Sequence, residues 1–183
     1  RVTDSKGNVL SEARPVVAGE TAERAIDPRN AFVMTSMLRD VVNFGTATRA
    51  LALGRKDLAG KTGTTNENVD AWFCGFNASI VGVSWIGFDQ PRTLGNNETG
   101  GIAALPIWVS FMQKALKGVP EKPIQPPEGV ISVRVNPDTG LRDDGSSVSE
   151  FFFAEFPPAG GRSDGLMAPV PGRTAQDVRD QLF

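Results

Sequence analysis

The chain has 183 residues, a net charge of −2 and a hydrophobic content of 40%, which suits one domain or one and a half. Because acidic and basic residues are interspersed and nearly balanced, no charge pattern favours binding to nucleic acid or to an anionic membrane. The chain contains no histidine, which excludes a Ser-His-Asp triad and any histidine-ligated metal centre, so we predict no metal site. Proton transfer would then depend on lysine, carboxylates or water.

The single cysteine, Cys74, cannot form a disulfide within the chain. It lies in an apolar stretch, so we predict a buried structural thiol. No apolar run approaches the roughly 18 residues that a membrane span needs. The chain begins with Arg1 rather than methionine, and we expect it to be part of a longer protein.

The first predicted elements are two short strands around a turn at residues 5–8. Asp27 followed by Pro28 predicts the start of a helix, with an N-cap and then proline at the first helical position. A short helical piece is predicted over residues 46–53, closed by Gly54. The apolar residues that recur at helical spacing in the first helix are Met34, Met37, Leu38 and Val41.

Three antiparallel strands are predicted next, at residues 61–65, 70–76 and 80–88, joined by short polar turns. A helix over about residues 102–117 follows them. We therefore predict an α+β fold, with an antiparallel sheet flanked by helices.

Composition changes after this helix, because nine of the thirteen prolines lie from Pro120 onward. We predict a stiff proline-rich linker and short strands beyond it. The predicted division is a main domain part at 1–118, an extension with short strands at 119–156 and a weakly structured tail at 157–183. The only element expected in the tail is a short helix at 174–182.

The most informative motif is Lys-Thr-Gly-Thr-Thr at residues 61–65, on the first of the three strands. Alternate side chains of a strand face the same side, so Thr62 and Thr64 would present two hydroxyl donors roughly 6.5–7 Å apart. Gly63 between them would let a ligand approach the backbone closely. Lys61 leaves from the other face, but its long side chain can reach a cleft at the strand edge and supply a positive charge there. A backbone N–H on this strand could also serve in an oxyanion hole.

An alternative interpretation is a strand end beside a turn, since Lys-Thr-Gly occurs by chance in many proteins. The context favours function, because the motif lies on a strand that two further strands and a helix follow. The loop at 66–68 could contact a substrate or be a solvated turn. We expect Asp70 to accept a hydrogen bond rather than act as a base, and the three tryptophans to pack in or near the core.

Further segments match a known pattern in the same order. They are Asp-Ala-Trp-Phe at 70–73, Gly-Phe at 75–76, Val-Ser-Trp-Ile-Gly-Phe-Asp at 83–89, Gly-Gly at 100–101, Ala-Ala-Leu-Pro-Ile-Trp at 103–108 and Phe-Met at 111–112. Together with Lys-Thr-Gly, they make the chain resemble the transpeptidase domain of class A penicillin-binding proteins, the bifunctional enzymes of the 1A type above all. The resemblance covers roughly residues 1–156 and implies the C-terminal part of that domain.

The resemblance implies serine acyl transfer in peptidoglycan cross-linking. A serine attacks the D-Ala-D-Ala bond, releases D-alanine and passes the acyl group to an amine of a second strand; β-lactams acylate the same serine. Lys61 would then be catalytic, in the proton-relay and electrostatic set, and Thr64 would donate its backbone N–H to the oxyanion hole. The residues implied to bind substrate are Thr62, Gly63, Thr64 and Thr65, with the Thr62 and Thr64 hydroxyls on the carboxylate.

The resemblance implies that the nucleophile is not in this chain. In the family it comes from a Ser-x-x-Lys motif, but Ser36 is followed by Arg39 at the lysine position, and arginine cannot act as a base. No serine here is followed by x-Asn, the second family motif. Both motifs precede Lys-Thr-Gly in the family, so we expect them upstream of Arg1 and expect this chain alone to be inactive.

Two alternatives remain, a serine β-lactamase-like hydrolase and a non-catalytic module that kept the fold without the serine. The strand and phenylalanine-rich segment after residue 120 argue against the hydrolase. The resemblance implies no cofactor. The partners it implies are peptidoglycan stem peptides, β-lactams and the upstream half of the same polypeptide, and no nucleic acid. It implies a parent protein with a single-pass anchor on the periplasmic face of the bacterial inner membrane, together with a glycosyltransferase domain.

Overall fold

The computed structural model describes residues 1–14, 16–17, 19–142, 145 and 148–160. Most of the tail predicted at 157–183, including its helix at 174–182, lies outside these residues. Within them, antiparallel strands and flanking helices confirm the predicted α+β class. The elements are β1 (Val2–Thr3), β2 (Val9–Ser11), α1 (Pro28–Asn43), a 3-10 helix (Thr48–Leu53), β3 (Ala59–Thr64), a 3-10 turn (Asn66–Asn68), β4 (Ala71–Phe76), β5 (Val81–Ile86), a π-turn (Gly100–Ala104), α2 (Leu105–Ala115), β6 (Val130–Val135) and β7 (Val148–Phe153).

The central sheet has the strand order β3-β4-β5, with both pairs antiparallel. One face of the sheet packs on α2, where Phe73 of β4 and Trp108 of the helix are almost completely buried. Their rings meet edge to face with centroids 5.0 Å apart. β3 begins two residues earlier than predicted, because the chain enters the core there: Leu58 and Ala59 are 2% and 1% exposed. Among the described residues, no helix is long and apolar enough to span a membrane.

Helix α1 begins as predicted, with the Asp27 carboxylate accepting a hydrogen bond from the backbone N–H of Arg29 at 2.8 Å. The predicted apolar face is wrong in part, since Met34 and Met37 are 55% and 58% exposed. The helix instead buries Phe32 and Val42 near its two ends, because its packing partners lie there. Helical spacing identifies a face, but the neighbouring elements decide which face is covered.

The outer face of the central sheet is apolar and exposed. Trp72 and Cys74 of β4 alternate with the buried Ala71 and Phe73, so their side chains lie on the opposite face. The prediction of a buried Cys74 is therefore wrong, because the thiol is exposed. Trp85 of β5 lies opposite Trp72, with ring centroids 5.9 Å apart. Both indoles are more than a third exposed, so Trp108 alone of the three tryptophans is a core residue.

The hairpin of β6 and β7 packs against α1. Phe151 meets Phe32 edge to face, with centroids 4.9 Å apart. The guanidinium of Arg29 lies 4.9 Å above the centre of the Phe153 ring and also pairs with Glu155. Aromatic and cation–π contacts thus join the predicted C-terminal extension to the first helix. The domain boundary at residue 118 remains a prediction.

A buried ion pair fixes the chain after α2. Arg55 binds both carboxylate oxygens of Asp57, at 2.8 and 2.7 Å, and its remaining Nη donates to the Val119 carbonyl at 2.7 Å. The Asp57 side chain is 2% exposed and also accepts from Asn77 and from the backbone N–H of Lys122. The start of the proline-rich linker is therefore held against the segment that leads into β3.

Candidate active site

Strand β3 is an edge strand of the central sheet in the described part of the chain, and it carries the Lys-Thr-Gly-Thr motif. The hydroxyl oxygens of Thr62 and Thr46 lie 2.8 Å apart, and the Thr64 hydroxyl accepts from the backbone N–H of Gly100 at 3.0 Å. The hydroxyls of Thr62 and Thr64 thus lie on the same flank of the strand. Only one of the two hydrogens of Thr46 and Thr62 can lie between their oxygens, so the other remains available to a ligand.

Lys61 lies on the opposite face of β3, across from Cys74. Its side chain curls around the strand edge, where Nζ donates to the Thr62 carbonyl at 3.1 Å and lies 3.5 Å from the Thr62 hydroxyl. Lys61 is an exposed residue, so its ammonium group is accessible to a ligand. The motif therefore brings one positive charge next to the Thr46–Thr62 hydroxyl pair, which has one hydrogen available to a ligand.

The backbone N–H of Thr64 points away from the sheet. In an antiparallel pair, residues that exchange hydrogen bonds alternate with residues that do not. Thr65 donates its backbone N–H to the Asp70 carbonyl at 3.1 Å, so Thr65 and Asp70 form a hydrogen-bonded pair. Thr64 and Ala71, the next pair in the register, do not. The Thr64 N–H is therefore directed toward the outer edge of β3, where a ligand could accept from it.

Gly100 lets the π-turn pack directly on the backbone of the motif. A Cβ atom at this position would overlap the carbonyl oxygens of Gly63 and Trp72. Without a side chain, Gly100 approaches closely enough for its N–H to bond the Thr64 hydroxyl. This hydrogen bond leaves the hydroxyl hydrogen of Thr64 free to donate.

A cleft of about 370 Å³ lies beside the two motif threonines. Its lining combines polar side chains from three separate segments of the chain. The sequence predicted only two of the lining residues, Thr62 and Thr64 on β3. Nothing in the local pattern at residues 46–49 or 99–102 indicates that these segments meet β3. The lining residues are Thr46, Thr48, Arg49, Thr62, Thr64, Thr99, Gly101 and Ile102.

Two other predicted site residues have backbone or sheet contacts. The Thr65 hydroxyl accepts from the backbone N–H of Asp70 at 2.7 Å, so it closes the turn after β3, and its substrate role remains a prediction. Gly63 lies opposite Trp72, and a Cβ there would come 3.2 Å from the Cβ of Trp72. The expectation for Asp70 is confirmed, since its carboxylate accepts from the indole N–H of Trp85 at 2.9 Å.

A larger groove of about 510 Å³ lies at the other edge of the sheet, between β5 and α2. Its walls are mostly apolar, with Val81, Trp85 and Phe111 among them. None of the described residues that line it has a charged group that could take part in proton transfer. The smaller cleft beside β3 is the candidate active site, because the two motif threonines line it, and Lys61 and the outward N–H of Thr64 lie at the edge of the same strand.

No protein-family model matches this sequence. Curated relatives do. The penicillin-binding protein 1A of Neisseria meningitidis serogroup A is 44% identical over 185 residues, which cover 97% of this chain and 23% of the relative. Those of Neisseria flavescens and Pseudomonas aeruginosa are each 52% identical over 132 residues, which cover 72% of this chain and 16% of each relative.

The crystal structure of penicillin-binding protein 1A from Haemophilus influenzae has the same fold over 76% of this chain and 22% of its own, with a TM-score of 0.72 and 34% identity. The chain thus spans less than a quarter of the length of the relatives it matches. The similar sequences and the similar crystal structure are all of penicillin-binding protein 1A, and the Lys-Thr-Gly motif on β3 points to the same class of protein. On this agreement, the chain belongs to the penicillin-binding protein 1A family.

Proposed function

We propose that this chain forms one side of the active site of a peptidoglycan D,D-transpeptidase. The observation that carries the proposal is the edge of β3, where Thr62 and Thr64 hydroxyls, the Thr64 N–H and the Lys61 ammonium meet beside an open cleft. These groups suit a ligand with a carboxylate and a carbonyl that becomes an oxyanion. A stem peptide ending in D-Ala-D-Ala has both.

In the proposed reaction, a serine Oγ attacks the carbonyl carbon between the two D-alanines. The C–N bond breaks, the leaving amine takes up a proton, and D-alanine departs from an ester intermediate. An amine of a second stem peptide then attacks the ester, so that a new peptide bond forms and the serine regains its hydrogen. The Thr64 N–H supports the oxyanion, and Lys61 lowers the energy of the negative charge and takes part in proton transfer.

The nucleophile would lie in the polypeptide that precedes Arg1 in the full-length protein. We expect residues 1–183, expressed alone, to remain unlabelled by a fluorescent penicillin, because no serine among them has the lysine partner of the family motif. The full-length protein should form a stable adduct at one serine, detected by mass spectrometry. Stoichiometric labelling of the isolated chain would show that the serine lies within it.

The same experiment distinguishes the alternative functions. Rapid release of hydrolysed β-lactam from the full-length protein would indicate a β-lactamase-like hydrolase. A full-length protein that forms no adduct would indicate a non-catalytic module. A stable adduct together with cross-linked peptide products supports the transpeptidase.

We propose that the upstream half of the same domain covers the apolar outer face of the central sheet. Trp72, Val83 and Trp85 are 38%, 59% and 44% exposed there, and contiguous apolar surface of this kind marks an interface. The occupant is argued from the relatives, since this chain spans less than a quarter of their length. The parent protein is proposed to have a glycosyltransferase domain and a single-pass anchor, with the active site on the periplasmic side.

Cys74 reports on this covering, because its thiol lies on the same face. We expect a maleimide to modify Cys74 at least about tenfold more slowly in the full-length protein than in residues 1–183 alone, since buried thiols react slowly. Peptide mass spectrometry measures the rate at this residue, and denatured protein gives the fully reactive reference. Equal rates in both proteins would contradict the proposed covering.

A further inference from the structure

We propose that Arg49 binds the carboxylate of the ligand and thereby determines the preference of this site for anions. The inference rests on the proposed transpeptidase function and adds a cation to the two motif threonines. Among the described residues that line the cleft, Arg49 is the one charged residue, and no lining residue is acidic. A guanidinium is planar, permanently charged and able to bind a carboxylate through two parallel hydrogen bonds.

The local fold directs Arg49 into the cleft. In a 3-10 helix, residues three apart lie on the same side. Ala47 and Ala50 are completely buried, so this side of the segment faces the core. Arg49 follows the first residue of this helix, and Thr46, which precedes its N-cap, bonds the Thr62 hydroxyl. Both residues line the cleft, so the arginine lies near the contact that joins this segment to β3.

The guanidinium of Arg49 has no ion pair or hydrogen bond among the described residues, and the residue is exposed. Other arginines of the chain are engaged: Arg55 binds Asp57, and Arg92 stacks 3.8 Å above the Phe88 ring. The charge of Arg49 is thus available to a ligand. The cleft also provides hydroxyl donors, including Thr64, whose oxygen accepts from Gly100 and whose hydrogen remains free.

The test uses the full-length protein and two probes, a fluorescent penicillin with its carboxylate and the methyl ester of the same compound. The second-order acylation rate is measured for the unmodified protein, for Arg49→Gln and for Arg24→Gln. The last is a matched control, since it removes the same charge from an exposed arginine that lines a different groove. Thermal unfolding of each variant checks that the fold is intact.

We expect Arg49→Gln to lower the rate with the carboxylate probe about tenfold or more, as hydrogen bonds to charged groups contribute strongly. The rate with the ester should change less than about threefold, and Arg24→Gln should leave both rates unchanged. Raising the salt concentration should reduce the difference between Arg49→Gln and the unmodified protein, because salt screens an exposed charge.

Equal losses with both probes, or a rate within about twofold of the unmodified protein, would overturn the role of Arg49 while the transpeptidase proposal stands. If the ester reacts too slowly to measure, the salt series decides, and a loss that salt does not change overturns the role. An unmodified protein that forms no adduct with the penicillin overturns both proposals.

Discussion

Replacing Lys61 by alanine in the full-length protein should slow acylation by a labelled penicillin at least about 100-fold, the scale of losses from removing an acid–base or oxyanion-stabilising group. The ammonium group lies 3.5 Å from the Thr62 hydroxyl at the edge of β3, the edge toward which the N–H proposed for the oxyanion is also directed. Alanine removes the lysine of the motif and its positive charge from this edge of the strand. Stopped-flow fluorescence or gel-based labelling over time measures the rate.

Lys56→Ala is the matched control for this experiment. Lys56 is exposed and precedes β3 by three residues, so its replacement removes the same charge from the loop next to the site. Its acylation rate should stay within about twofold of the unmodified protein, as is usual for a surface substitution. An unimpaired rate in Lys61→Ala would refute the role assigned to Lys61, although the resemblance to the family would remain.

Replacing Asp57 by asparagine should lower the free energy of unfolding by about 3–5 kcal/mol, the usual cost of breaking a buried ion pair from one side. The change is nearly isosteric, but it leaves the guanidinium of Arg55, whose side chain is 12% exposed, without its carboxylate. Because the carboxylate would no longer hold the guanidinium in place, the hydrogen bond from Arg55 to the Val119 carbonyl would also weaken. Penicillin labelling after incubation in increasing urea gives the midpoint at which the site unfolds.

Asp27→Asn serves as the control, because it also neutralises an aspartate that pairs with an arginine, Arg29. That pair is exposed, and asparagine caps a helix about as well as aspartate, so the expected loss of stability is much smaller than for Asp57→Asn. Equal unfolding midpoints for the two variants would contradict the structural role of the Arg55–Asp57 pair.

The contribution of Asp57 should depend on pH. Burial by itself raises the pKa of this carboxyl, but the hydrogen bonds from Arg55, the Lys122 N–H and Asn77, together with the charge of Arg55, outweigh burial, and the pKa is lowered overall. A carboxyl with a lowered folded-state pKa stabilises the protein above its unfolded pKa of about 3.9. The stabilisation is lost as the pH falls through the folded-state value. The stability difference between the unmodified protein and Asp57→Asn should therefore be largest near neutral pH and shrink below about pH 4.

Short-range chemistry in the sequence predicted most elements. Asp27 and Pro28 fix the start of α1 because a cap and its helix are neighbours in the chain. The alternation along a strand placed Thr62 and Thr64 on one flank of β3 and Lys61 on the other. The strand β6 (Val130–Val135) lies in the extension where short strands are predicted, and it is rich in β-branched residues. These features depend on residues within a few positions of one another.

Burial could not be predicted in the same way. Cys74 has apolar neighbours, yet the register of β4 turns it to the outer face of the sheet, and the helix that covers the other face buries Phe73. Met34 and Met37 have helical spacing, yet α1 packs through Phe32 and Val42. In each case, the partner that covers a face comes from a distant part of the chain.

The sequence by itself determined the chemistry of one strand: a lysine, two hydroxyls on one flank and a glycine between them. The tertiary structure decided what surrounds that strand. It brought Thr46 and Arg49 to Thr62 from a separate segment, and Gly100 to Thr64 from another. The physical reason is that side-chain periodicity is a property of one element, whereas a cleft forms only where packing brings several elements together.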